Sequence, residues 1–441
     1  LSYADTYRIL HLDCGRKYFT ADWIKALINE MSAAGYTHLE MAFGNDGLRF
    51  LLDDMSVGDF SSDSVTAAIK EGNKAYHDFS TNELTESEMN AIISHANSKG
   101  IKIIPLLNNP GHMDTIVAAI TSLTGKSAGY NGSESTIDLE NSTAVEFTKE
   151  MVQKYVAYFD AKGCNEFNMG ADEYANDVYS TGSMGFGALV NADKYQLFVD
   201  YVNEMADIIK DAGMVPIAFN DGIYFNKDTN YTFDTQIMVA FWTSGWSGYQ
   251  SADASTMYSK GHEMINVHGD YYYVSGKNDK WTTGDTTTHD PSLYTEASGW
   301  ANSTFMGSEV SDPAGAMFCI WCDDPDFESE TQIAQNVRLV LRAMAAEMQG
   351  NSATAISTDV VSGGFNADGS INSDSTTTPD CESVTLTDND ISVTACGLTG
   401  LTVTTATAPA IEGAENVLAW DMTPVTAEGG YTGEATVAVP V

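Results

Sequence analysis

Between roughly residue 5 and residue 350 the chain repeats one pattern, a short apolar or β-branched run followed by a longer stretch with helical spacing. The strand-like runs are Tyr7–Gly15, Thr37–Gly44, Lys102–Asn108, Glu166–Glu173, Val215–Asp221, Gln236–Trp242, Met264–Gly269 and Ala316–Cys322. Amphipathic stretches at Ala21–Ala34, Glu86–Lys99, Thr143–Ala161, Ala192–Ala212 and Thr331–Met348 follow several of them. Thr20, with Asp22 and Trp23 beside it, reads as a helix start, and Thr85 with Glu88 has the capping-box spacing. Strand–helix units in this number predict an α/β chain folded as a (β/α)8 barrel, in which reactive groups gather at the C-terminal ends of the strands. After the fifth, sixth and seventh runs the helical pattern is short or indistinct.

Polar and aromatic residues do collect at those ends. The runs close in order on Asp13-Cys14-Gly15-Arg16, Asn45-Asp46-Gly47, Asn108-Asn109-Pro110-Gly111-His112, Asp172-Glu173, Asn220-Asp221, Trp242, Asp270 with Tyr271 to Tyr273, and Trp321-Cys322-Asp323. A buried carboxylate needs a charge or hydrogen-bond partner, so a barrel with only structural duties has no reason to place acids there. The fourth end is the most telling. Adjacent acids on a flat strand point to opposite faces, but Gly170 and Ala171 permit a bend that would bring both carboxyls to one pocket. Two such groups repel, one pKa rises and the other falls, and that division suits glycoside hydrolysis. The plain alternative is an exposed Asp-Glu pair in a loop.

Composition narrows the partners. With 21 Lys plus Arg against 61 Asp plus Glu, the formal charge of −40 repels phosphate backbones and anionic membranes, so nucleic acid is not an expected partner. Seven Trp and 21 Tyr supply flat faces of the kind that bind neutral sugars, although an acidic surface also serves plain solubility. No run of 18 apolar residues is present, and Leu1 to Arg8 lacks the character of a signal peptide, so the expectation is a piece of a longer, exported precursor. Cys319-x-x-Cys322 has no second pair and reads as buried thiols. The histidines, among them His38, His77, His95 and His262, form no ligand-spaced cluster; neither a metal nor another cofactor is expected.

Taken in order, these motifs resemble glycoside hydrolase family 20, the β-N-acetylhexosaminidases, over roughly residues 5 to 350. Leu12-Asp13-Cys14-Gly15-Arg16-Lys17-Tyr18-Phe19 is similar to the family's opening motif, which implies that Arg16 holds hydroxyls of the terminal sugar. Gly170-Ala171-Asp172-Glu173 resembles its catalytic motif, with Asp172 orienting the substrate acetamide and Glu173 as general acid/base. The resemblance further implies that Asp46 and His112 support that acid. It implies that Trp242, Trp321 and Tyr273 form the acetamide pocket and its stacking surfaces, with Tyr272 as the other choice for the acetamide contact. Asp323 would meet outer sugar hydroxyls, and Asp221 and Asp270 complete the expected substrate-binding set. Trp242 and Trp321 as core packing, His112 as a structural histidine, and Asp46 and Asp221 as turn residues are the competing readings. Two departures stand out: Leu106 replaces an acid that many members carry after Pro105, and Phe219 stands near where many carry Trp.

The implied activity is exo-acting, retaining removal of terminal β-linked N-acetylglucosamine from glycans, with the substrate's own acetamide as nucleophile. A lacto-N-biosidase releasing a disaccharide, or an inactive glycan-binding adhesin, are the alternatives. A secreted or cell-surface location follows from the same resemblance. Two long segments, Leu48–Asn82 and Ser275–Pro313 with Trp281 and Trp300, are expected as loops that either wall off the pocket or form a subsite for a second sugar. Residues 1–350 form the expected catalytic domain and 351–379 a linker. Alternation such as Leu401-Thr402-Val403-Thr404 predicts a small β-sandwich-like module over 380–441, which a Cys381–Cys396 bond would staple.

Overall fold

The computed structural model describes residues 7–76, 82–246, 249–275, 300–351 and 356–372, and the backbone of short strands within 373–441. Eight parallel strands close into a barrel: β1 (Tyr7–Leu12), β2 (His38–Asn45), β3 (Lys102–Asn109), β4 (Glu166–Gly170), β5 (Val215–Phe219), β6 (Met238–Phe241), β7 (Met264–Asn266) and β8 (Gly315–Trp321). Closure is explicit in the register, since β1 pairs with β2 through Ile9–His38 and with β8 through Tyr7–Gly315. The expected (β/α)8 fold is present.

Helices α1 (Ala21–Ala34), α2 (Ser62–Tyr76), α3 (Glu86–Ser98), α4 (Asp114–Thr124), α5 (Ser142–Ala161), α6 (Gly185–Asn191), α7 (Tyr195–Asp211), α8 (Ala254–Ser259) and α9 (Glu330–Met348) surround the strands. Thr20 caps α1, and Thr85 with Glu88 forms the reciprocal capping box that opens α3. Three helices depart from expectation. The segment Leu48–Asn82 is not simply a loop, because it contains α2, and α4 and α6 lie where no helix is predicted. Beyond β5 and β7 the chain makes only single 3-10 turns among the described residues, Phe225–Lys227 and Gly269–Tyr271, and after β6 the six-residue α8.

Period-two alternation sorts the strand side chains into two cores. Ile9, Ala42, Ile104, Leu106, Ile217, Met238, Ala240, Ile265 and Met317 face the barrel axis, whereas Leu10, Leu12, Leu39, Met41, Phe43 and Phe167 face the helices.

The described part of the stretch expected as a linker, 356–372, lies against α1 and α9. Phe365 is fully buried with its ring 5.3 Å from that of Trp23, and its N–H donates to Glu30 Oε1 at 2.8 Å. Arg342 binds Glu30 at 2.7 Å and, from its other nitrogen, the carbonyls of Ser357 and Asp359 at 2.8 Å each. The chain divides into compact units at Asn372/Ser373. In the second unit, Ser383–Thr387 pairs antiparallel with Asp390–Thr394, and Leu418–Asp421 pairs with Thr404–Thr405 and Ala435–Val437. Cys381 and Cys396 lie outside the described residues, as does Trp281.

Phe365→Ala removes a fully buried ring and should lower the stability of the first unit by about 3 kcal/mol. Denaturant unfolding followed by tryptophan fluorescence measures it; a change below about 0.5 kcal/mol would show that the 356–372 segment contributes nothing to the barrel's stability.

Candidate active site

The alternation that fills the barrel also builds the site. The inward row of β1 runs Tyr7, Ile9, His11 and continues to Asp13; that of β3 runs Ile104, Leu106 and reaches Asn108. Rows on β5, β6 and β8 continue past Phe219 to Asp221, past Ala240 to Trp242, and past Cys319 to Trp321. Midway up the barrel sits a polar layer. His11 Nδ1 lies 2.7 Å from Glu40 Oε1, and Asn168 donates to Glu40 Oε2 at 3.0 Å, with all three side chains fully buried. The Trp321 ring rests over His11, centroids 4.2 Å apart, and forms part of the floor of a cavity of about 170 Å³. Arg16, Asn45, His112, Asp172, Glu173, Phe219, Trp242, Tyr272, Val274, Trp321 and Asp323 line that cavity.

Both acids reach it because the backbone turns at the end of β4. Gly170 and Ala171 have φ of 73° and 67°, and Glu173 itself has φ of 48°. A Cβ on residue 170 would stand 2.0 Å from Asn108 Oδ1, so only glycine fits there. Asn108 then fixes the bend, accepting from Ala171 N–H at 3.2 Å and donating to Asp172 Oδ1 at 2.8 Å.

A chain of charges holds the acids apart. His112 Nε2 is 3.2 Å from Glu173 Oε2 and 3.4 Å from Asp172 Oδ2, and its Nδ1 is 2.8 Å from Asp46 Oδ1. Arg16 donates through Nε to Asp46 at 2.7 Å and through Nη1 to Asp13 at 3.0 Å, and the same Nη1 lies 3.5 Å from Asp323. Burial alone would discharge His112, but Asp46 and Asp172 outweigh it and hold the imidazole well above its usual range. Burial likewise opposes ionisation of Asp172 and Asp46, yet His112 for the first, and Arg16 with His112 for the second, keep both carboxyls below theirs. Asp221 goes the other way: burial, and then the Asp172 charge, push it up to about 7.

Asp221 lies behind the cavity wall, fully buried. It accepts Glu173 N–H at 2.9 Å, Trp242 Nε1–H at 3.1 Å and the Tyr249 hydroxyl at 2.7 Å. Asp46 also stands behind the wall, where it holds Arg16 and His112. Of the tyrosine run, Tyr272 and Val274 face the cavity and Tyr273 faces away, because Tyr273–Val274 resumes a strand paired with the end of β8 and successive side chains alternate. The expected acetamide contact by Tyr273 is therefore not what the structure supports: its hydroxyl donates to Glu328 at 2.8 Å and accepts from Asn336 at 3.1 Å, deep beneath α9. Asp270 is exposed on the 3-10 turn, 3.8 Å from His268, and does not join the site.

Residues that the sequence reading left without a role are Asp13, Asn45, Asn108 and Tyr249. The first three were signalled by parity and by their place at strand ends; Tyr249 arrives from a hairpin beyond β6, for which the local sequence carries no signal. Among the described residues, His112, Asp172 and Glu173 present atoms within 4.8 Å of one another, a spacing a metal ion would need. An imidazole held protonated between carboxylates offers two N–H donors rather than a lone pair, so this set fits an ion-paired acid site better than a ligand set.

The comparisons with known proteins agree with this geometry. Residues 6–337 match the catalytic domain of glycosyl hydrolase family 20. The pneumococcal exo-β-D-N-acetylglucosaminidase StrH, solved as tandem catalytic modules of that family, superposes with a TM-score of 0.70 at 33% identity, over 78% of this chain and 83% of that one. Lacto-N-biosidase of Bifidobacterium bifidum is 24% identical over 278 residues, 57% of this chain, and β-hexosaminidase subunit A2 of Dictyostelium discoideum is 25% identical over 170, or 36%. The chain spans 22% and 29% of the lengths of these two relatives. No described helix is long and apolar enough to cross a membrane. With its two acids at the end of the fourth strand of a closed barrel, the chain belongs to glycosyl hydrolase family 20 and is a glycoside hydrolase.

Proposed function

We propose that this glycoside hydrolase is an exo-acting, retaining β-N-acetylhexosaminidase that removes terminal β-linked N-acetylglucosamine through an oxazolinium intermediate. The observation that carries the reading is the paired state of the acids: Asp172 is held ionised by Asn108 and His112, beside a Glu173 that shares the same imidazole. Further support comes from the likeness to an exo-β-D-N-acetylglucosaminidase.

In this mechanism the 2-acetamido oxygen attacks the anomeric carbon as the glycosidic C–O bond breaks, and Glu173 delivers its proton to the departing oxygen. Positive charge builds on the acetamide, which the Asp172 carboxylate balances while accepting the acetamide N–H. The Tyr272 hydroxyl is the group suited to hold the acetamide oxygen in line. Water then adds at the anomeric carbon, giving its proton to Glu173, and the acetamide oxygen leaves; two inversions retain the configuration. Trp242, Trp321 and Phe219 wall the sugar, and Arg16 with Asp323 takes outer hydroxyls. The reading includes a secreted or surface-attached enzyme, consistent with the strongly acidic composition.

Likeness to a lacto-N-biosidase motivates one rival, disaccharide release. The deciding experiment is product analysis on a tetrasaccharide capped with galactose and on its degalactosylated trisaccharide. Free N-acetylglucosamine from the trisaccharide alone is expected; disaccharide from the capped substrate, with no reaction on the other, would establish the rival. A matched substrate with hydroxyl in place of acetamide should be hydrolysed at least about a thousandfold more slowly.

Glu173→Gln should reduce kcat on natural glycans by a factor of about a thousand or more, and much less on substrates with a nitrophenolate leaving group, which departs without a proton. Equal losses on both classes would remove Glu173 from the acid role.

His112→Gln deletes the counter-charge of Asp172. Because the native carboxyl is held low, its ionised form persists to acidic pH; without the imidazolium the pKa climbs, and the acid limb of the kcat/KM profile should move up by about one pH unit. An unmoved acid limb would mean that something other than His112 keeps Asp172 charged.

A further inference from the structure

We propose that Ser135-Thr136, in a loop behind the cavity, is a gauge that sets the distance between His112 and Glu173, with Thr136 as a positioning residue for the acid. The inference rests on the hexosaminidase reading above, in which Glu173 is the proton donor.

Glu173 is held in a conformation it would not keep alone. Its φ of 48° and the 47° of Ala175 lie in the left-handed region, as does the 51° of His112 on the facing loop. A residue with a Cβ is strained there and stays only where its surroundings over-determine it. The N–H of Glu173 is anchored on Asp221 Oδ2 at 2.9 Å, and the N–H of Ala175 on Thr136 Oγ1, also at 2.9 Å. The acid thus sits between two side-chain acceptors, neither of which lines the cavity.

The loop that brings Thr136 also holds the histidine. Ser135 O accepts the N–H of Met113, one residue beyond His112, at 2.8 Å, and Ile137 N–H donates to Pro110 O at 3.1 Å. Adjacent residues of one short loop therefore fix the two segments that carry the His112–Glu173 contact, whose atoms are 3.2 Å apart. The loop has its own shape. Gly129 and Ile137 pair as a bridge, Ser133 Oγ accepts the N–H groups of Ser135 at 3.2 Å and Thr136 at 3.0 Å, and Thr136 is fully buried. Asp177, beyond the acid, completes the junction by accepting the Ser133 hydroxyl at 2.7 Å and Glu134 N–H at 2.9 Å.

A contact that only stabilised the barrel mouth would behave differently. Lost stability removes active molecules and lowers the rate on every substrate by one factor, whereas a displaced acid slows only the step that needs its proton. Misplacing a catalytic group by about 1 Å can cost about a hundredfold.

Thr136→Val keeps the shape of the side chain and deletes the acceptor, while Thr136→Ser keeps the acceptor. For Thr136→Val, kcat/KM on an oligosaccharide ending in β-linked N-acetylglucosamine should fall about ten- to thirtyfold. On the nitrophenyl glycoside, whose leaving group departs without a proton, it should stay within about twofold of native, and Thr136→Ser should stay within about twofold on both. Thr136→Ala repeats the measurement should valine prevent folding. Equal losses on both substrates, no loss on either, or Thr136→Ser as impaired as Thr136→Val would overturn the gauge. Glu173→Gln, measured alongside, separates the two claims: equal losses there overturn the parent reading, whereas a glycan-selective loss there with none in Thr136→Val overturns the gauge alone.

Discussion

Everything at the mouth of this barrel depends on how two cations, Arg16 and His112, are shared among carboxylates that would otherwise not tolerate one another. Asp13, Asp46 and Asp323 surround Arg16, and Asp46, Asp172 and Glu173 surround His112. Removing either cation leaves buried like charges within a few ångströms, and the usual response of such groups is to take up protons. The arrangement differentiates its members. Asp46 and Asp172, each against a cation, are held below the usual carboxylate range, whereas Asp221, which touches only neutral donors and faces Asp172, is pushed towards neutrality.

The supporting barrel carries one polar layer within its apolar interior. The His11–Glu40–Asn168 layer occupies space that aliphatic side chains would fill at lower desolvation cost. It lies directly under Trp321, so the pocket floor rests on a hydrogen-bonded polar layer with fixed geometry instead of a deformable apolar surface.

Much of this was legible in the sequence because strand periodicity is a strong signal. All eight strands were located, and the end of each run pointed to the pocket. The misses have physical causes. Helix α2 buries only Val65 and Ile69 among large aliphatics in its described part and is otherwise polar, and α4 is rich in Thr, Ile and Val, which read as strand. In Tyr271 to Tyr273, parity decides which hydroxyl reaches the pocket, and parity is set only when Tyr273–Val274 pairs with β8, a contact some 47 positions away in sequence at Ile320. Asp270 was displaced by the 3-10 turn that precedes that pairing. Tyr249 reaches Asp221 across a hairpin, and no local pattern announces such a meeting.

The packing of residues 356–372 bears on how the ring of strands is locked during synthesis. The seam of the barrel is the β1–β8 junction, flanked by α1 and α9, and these two helices share Glu30 and Arg342 beneath the strap that carries Phe365. Since α1 leaves the ribosome early and the strap late, Glu30 waits for both of its partners, a guanidinium and a backbone amide, through more than three hundred residues of translation. A nascent chain halted at residue 350 already holds every strand and helix of the barrel but not its clasp. Such an intermediate should breathe at the seam, and the opening would close only once Phe365 has emerged and docked.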